Sequence, residues 1–179
     1  AVWFDLLEPT EDEDAGVERM LGVAVPTRAE MEEIEASSRL YAEDGALYMT
    51  ALVQVSSDTG DARLTPITFI LVGNELATVR YDKPKSFDLF RARAERPGYG
   101  LLDGRGVLLG LLETIVDRLA DALERVGGEI DTLSTAVFRS RREREKGLEE
   151  AITTVGRLGG AVSRAEESIV SLARLFHFL

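Results

Sequence analysis

The stretch Gly106-Val107-Leu108-Leu109-Gly110-Leu111-Leu112-Glu113-Thr114-Ile115 decides how this chain folds, because the hydrophobic period changes there. From it onward Leu108, Leu112, Ile115, Leu119, Ala122, Val126, Ile130, Leu133 and Val137 recur at steps of four and three, the spacing of one helical face. This predicts a single long helix. The polar run Arg139 to Lys146 marks a turn, after which Leu148, Ile152, Val155, Leu158, Val162, Ala165, Ile169, Leu172, Phe176 and Leu179 repeat the pattern. Two long helices of this kind are expected to pack antiparallel. Gly127, Gly128, Gly156, Gly159 and Gly160 lie inside them, each costing about 1 kcal/mol relative to Ala. Close helix approach is the expected compensation.

Before Gly106 the period is that of strands. Ala46 to Val55 alternates Leu47, Met49, Ala51, Val53 and Val55 inward, and pairs with Arg39 to Glu43 across Asp44-Gly45. A second pair, Ile67 to Val72 and Glu75 to Tyr81, turns at Gly73-Asn74. Val2 to Leu7 adds a short strand. Thr10 with Glu13, and Thr27 with Glu30, have the spacing of capping boxes and start two helices, Glu11 to Leu21 and one from Arg28. Ser86 is placed to cap a short helix, Phe87 to Arg96, ending at Pro97-Gly98 and packed down by Leu89 and Phe90. The expected fold is α/β: a small sheet packed with helices over residues 1–100, then a long antiparallel helical hairpin over residues 101–179.

Composition narrows the function. There is no Cys and one His, His177, so thiolate sites, disulfides and His-rich zinc clusters are excluded. Any metal is held by oxygen. The net charge is −11, and residues 1–44 carry 13 acidic against 3 basic side chains, a net of −10. Such a field repels nucleic acid and anionic lipid and concentrates cations, although acidic helices also serve solubility alone. No apolar run reaches the roughly 18 to 20 residues of a membrane span. Gly98-Tyr99-Gly100 and Gly104-Arg105-Gly106 lack a Walker lysine and a preceding strand, and read as a hinge. A catalytic triad on His177 would need an active site at a helix end. The chain does not read as an enzyme.

Glu30, Glu32 and Glu33 fall on the helix from Arg28, just before Ala36-Ser37-Ser38-Arg39, where two or three carboxylates could converge on one hard cation. On the residues alone a solvated helical face is the favoured reading.

Three segments stand in order: Trp3-Phe4-Asp5-Leu6 with Glu8-Pro9-Thr10, Met31-Glu32-Glu33-Ile34-Glu35-Ala36-Ser37-Ser38-Arg39 before the Tyr48 hairpin, and Phe69 with Leu76-Ala77-Thr78-Val79-Arg80. Phe87 to Ala94, Leu111 to Asp121 and Glu129 to Ser134 follow in register. Together they resemble bacterial CorA-like magnesium transporters. The resemblance implies the regulatory, metal-sensing domain of a divalent-cation channel on the cytoplasmic face of the cell membrane. It implies a homopentamer, with weak association or a monomer for this chain alone, and Mg2+ as the regulatory ion, other divalent cations being open. One interfacial ligand of the family falls at the second acid of a Leu-Glu-Asp-Ile segment. That matches Glu33, with Glu32 beside it, and its partner acid belongs to a stalk not in this chain. The two membrane helices and their Gly-Met-Asn signature are expected beyond Leu179. A zinc-transporting branch of the family, or a scaffold domain that binds partners through the hairpin, are the alternative readings.

Overall fold

In a computed structural model of the chain, the described residues are 2–33, 35–56, 62–96, 100, 103–139 and 144–179, with the side chains of 36, 37, 56 and 136–148 outside the description. Five strands form one sheet in the order β1-β5-β4-β3-β2: β1 (Trp3–Leu7), β2 (Leu40–Glu43), β3 (Ala46–Ser56), β4 (Ala62–Val72) and β5 (Glu75–Arg80). Neighbours are antiparallel except β1, which lies parallel to β5 with Asp5 beside Thr78. Local turns set the antiparallel part. Asp44 and Gly45 both take positive φ, as a two-residue hairpin turn requires, and Glu43 faces Ala46 across it. The parallel strand has no local cause. After β1 the chain runs through α1 (Glu11–Leu21), α2 (Arg28–Met31) and α3 (Ala36–Arg39) to the opposite edge, then returns strand by strand to pair with it.

The sheet is covered on both faces. On one side Val17 and Leu21 of α1, the connector residues Val23 and Val25, and Met31 of α2 pack on Tyr48, Ile70, Ala77 and Val79. On the other, Met49, Ala51, Val53, Ile67, Phe69 and Leu76 meet α4 (Lys85–Ala94), α5 (Gly104–Arg139) and α6 (Arg144–Phe178). Helices lie outside and the sheet lies between.

The helical hairpin is antiparallel: Arg157 of α6 is ion-paired with Glu129 of α5, while Ala165, Leu172 and Leu175 join the cluster of Leu108, Leu111, Leu112, Ile115 and Leu119. Its base is therefore built into the sheet's core. Beyond Met49, β3 has no β2 residue beside it, and α6 supplies the missing partners. The Ser168 hydroxyl donates to the Leu52 carbonyl at 2.7 Å, and the Leu52 N–H donates to Ser171 Oγ at 2.9 Å. These bonds hold a helix against bare strand backbone.

Several expectations need correction. Pro84, not Ser86, is the N-cap of α4, and Ser86 is the second residue of the helix, buried in its first turn. Phe87 and Phe90 dock that helix, while Leu89 faces out, because the face separated by three residues is the one pressed on the core. The helix from Arg28 has only four residues, so Glu32 is its C-cap and Glu33 lies past its end. Gly127, Gly128, Gly156 and Gly159 meet nothing, and a Cβ at Gly160 would touch only the flexible Arg164 side chain. Close approach occurs instead at two glycines nearer the sheet. A Cβ at Gly110 would lie 2.5 Å from the Phe90 ring, and one at Gly104 would lie 2.5 Å from the Glu75 backbone. Gly104 also donates its N–H to the Asn74 carbonyl at 2.6 Å, and Asp103 accepts from the Gly106 N–H at 2.8 Å. Gly104-Arg105-Gly106 is thus an anchored first turn of α5 rather than a hinge. Residues 98 and 99 of the expected hinge, residues 140–143 of the expected turn, and the side chains of Val137 and Leu148 lie outside the described residues.

Candidate metal site

The acid-rich edge of the lobe is built from two capping boxes. At Thr27 the Glu30 carboxylate accepts from the Thr27 N–H at 2.7 Å and its hydroxyl at 2.8 Å, while the Glu30 N–H donates back to Thr27 Oγ1. The backbone N–H bond, then the hydroxyl bond, holds the Glu30 carboxyl below its ordinary range. Thr10 does the same for Glu13, whose carboxyl is also lowered. Both glutamates are committed to structure. Neither is a spare ligand.

Met31, only 1% exposed, pins α2 into the core and fixes where the next two acids emerge. Glu32 closes an i,i+4 ion pair with Arg28 at 2.9 Å, and both side chains are more than half exposed. Such a pair is worth only a few tenths of a kcal/mol and gives way readily. Glu33 follows in an exposed position. Its carbonyl accepts from Arg39 Nε at 2.6 Å, which ties the segment's backbone to the start of β2, and no described side chain meets its carboxylate. Ile34, which completes the quoted segment, lies outside the described residues.

Oxygen donors of this kind suit Mg2+ chemically, but the number is small. Among the described residues no group of three or more Asp, Glu or His side chains is placed to hold a metal ion. The expected convergence of Glu30, Glu32 and Glu33 on one helix face is not formed: Glu30 caps, Glu32 pairs and Glu33 projects off the helix. One chain offers a free carboxylate and a loosely held one, with the rest of any coordination shell left to water or a second molecule.

A polar network inside the lobe escaped the reading of the sequence. The Asp5 carboxylate accepts from Arg80 at 2.7 and 2.8 Å, from the Thr78 hydroxyl at 2.9 Å and from Arg91 at 2.9 Å. The Trp3 indole N–H donates to Thr78 Oγ1, and Arg80 lies over the Phe87 ring. Asp5 and Arg80 are both nearly buried, so the carboxylate and guanidinium need each other. The only signal for it was the out-of-pattern Asp in an apolar strand and the Arg ending another. Their meeting depends on the parallel pairing. His177 is exposed on the last turn of α6.

The fold and the sequence have relatives among known proteins. Over the whole chain the sequence is 30% identical to the magnesium transport protein CorA of Escherichia coli K12, and 29% identical to that of Salmonella typhimurium LT2. The chain spans 56% of the length of each, a little over half. The soluble domain of CorA from Methanocaldococcus jannaschii superposes with a TM-score of 0.63 at 12% identity, covering 98% of this chain and 88% of that one. Among the described residues no helix is long and apolar enough to cross a membrane. The family profile described as CorA-like Mg2+ transporter protein matches residues 1–174, and the chain belongs to that family.

Proposed function

We propose that this chain is the ion-sensing part of a CorA-like divalent-cation channel, with Mg2+ as the ion sensed. The observation that carries this reading is Glu33: an exposed carboxylate without a side-chain partner, on backbone fixed by Met31 and Arg39, in a region of net charge −10. Glu32 joins it by releasing Arg28. Two carboxylates leave a Mg2+ shell incomplete, so the remaining oxygens come from water and from a neighbouring copy in a homopentamer. Bound ion then favours the assembly state in which two subunits share it. Loss of the ion releases that state. The work divides near residue 100, with the lobe of residues 1–100 bearing the ligands and the hairpin of residues 101–179 relaying the change toward membrane segments on the cytoplasmic face. The role is regulatory rather than catalytic.

The exposed apolar residues of α6 support the assembly part of the reading. Ile152, Val155, Val162, Ile169 and Phe176 face outward on a helix whose other seam is already satisfied. Titrating the isolated chain with Mg2+ and following backbone amide shifts by NMR tests the ligand part. Weak, saturable shifts confined to residues around 28–39, absent in Glu33→Ala, are expected. Shifts spread evenly along the acidic region and unchanged by the substitution would contradict it.

A further inference from the structure

Among the described residues, a cluster of positive charge lies in a part of the molecule the metal reading does not use. Between the end of β3, the N-terminus of α4 and the middle of α5 is a recess of about 80 Å3, bordered by Lys83, Lys85, Arg118, Arg125, Ser86 and Gln54. None of its described lining side chains is acidic, in a chain of net charge −11. Arg118 is shared with Asp121, but Lys83, Lys85 and Arg125 make no ion pair among the described residues. Four cations around one small opening repel each other unless an anion joins them.

Two neutral groups point to the same ligand class. Ser86 is 3% exposed and its hydroxyl has no hydrogen-bond partner among the described residues, an arrangement that is unfavourable when left unmet. Gln54 Oε1 is likewise buried and unpartnered, and its amide turned over presents an NH2 donor. Ser86 also stands in the first turn of α4, where Pro84 provides no capping side chain. That leaves the positive end of a ten-residue helix, whose first two residues border the recess, without a side-chain acceptor. At about 30 Å3 per water, the volume holds a few waters or one tetrahedral oxyanion.

We propose that this recess binds a phosphate group, held electrostatically by Lys83, Lys85, Arg118 and Arg125 and oriented by the Ser86 hydroxyl and the first turn of α4. The site is independent of Glu33. Free inorganic phosphate and the terminal phosphate of a nucleotide share this chemistry, and the test separates them. Calorimetric titration of the chain with inorganic phosphate, and separately with metal-free adenosine triphosphate, is run against chloride at matched ionic strength. We expect saturable binding of at least one, weakening as salt rises. The double variant Lys85→Gln/Arg125→Gln should lose about tenfold or more in affinity, and Ser86→Ala a few-fold, as removal of charge-assisted bonds predicts. Arg105→Gln, an equal loss of charge per site on an exposed residue outside the recess, should bind as wild type does. Tighter phosphate binding identifies the free ion as the ligand, and tighter triphosphate binding a nucleotide. Binding no stronger than chloride's, or equal binding by the double variant and wild type, overturns the proposal. Because Lys85 and Arg125 are exposed, the double variant keeps its fold and the result stays interpretable.

Discussion

The two ends of the α5–α6 hairpin carry the same apolar periodicity and meet different surroundings. Near the sheet, Leu108, Leu111, Leu112, Ile115, Leu172 and Leu175 are buried among strand residues and the α4 phenylalanines. Toward the turn, Ala151 and Leu158 of α6 are still buried, but Ile130 is half exposed and Ile152 is 64% exposed, and the Arg157–Glu129 ion pair lies in the open between the helices. Period alone says that a face is apolar. What covers it depends on where the partner layer ends, and here the sheet reaches only the base.

That contrast can be broken most decisively with paired truncations. Leu112→Ala should cost about 2–5 kcal/mol, since it removes a fully buried side chain and leaves a cavity. Ile152→Ala should change stability by less than about 0.5 kcal/mol. Urea unfolding of both variants reads the difference, and equal losses would mean that the distal hairpin is packed as the base is. The glycines give a contrast in sign. Gly110→Ala pushes a methyl against the Phe90 ring and should cost about 1–3 kcal/mol, while Gly156→Ala, in open space, should gain up to about 1 kcal/mol. Thermal unfolding of the pair would move Tm in opposite directions. The smallest effects compare the hydrogen bonds. Ser168→Ala strips a donor from the Leu52 carbonyl and should cost about 1 kcal/mol, against a few tenths for Arg157→Gln at the exposed ion pair. Hydrogen exchange at the β3 amides should quicken in the first variant only.

The legible parts of the sequence were those whose causes are local. Asp44-Gly45, the Thr10 and Thr27 capping boxes and the alternation of Met49, Ala51 and Val53 each act within a few residues, and each stands where its chemistry put it. The parallel placement of β1, which brings Asp5 to Arg80, joins positions 75 residues apart and left no periodic trace. Gly110 and Gly156 look alike in sequence because the Phe90 ring that distinguishes them comes from another helix. At the candidate site the residue types were readable and the arrangement was not. A capping box promises a helix start and says nothing about its length, so Glu33 was assigned to a helix that stops at Met31. The serines that tie α6 to Leu52 were equally silent, since Ser168 and Ser171 matter only because β2 has ended beside them.

The distal surface and the acidic edge come together in the proposed assembly, where a second copy would cover the exposed seam and complete the ion's shell. Magnesium-dependent protection from proteolysis in the full-length protein, wild type against Glu33→Ala, tests that account most directly. Increasing Mg2+ should protect the wild type along a saturable curve, and the variant should need several-fold more Mg2+ for the same protection while folding normally. If the two curves coincide, Glu33 is an ordinary surface carboxylate and this site does not sense the ion.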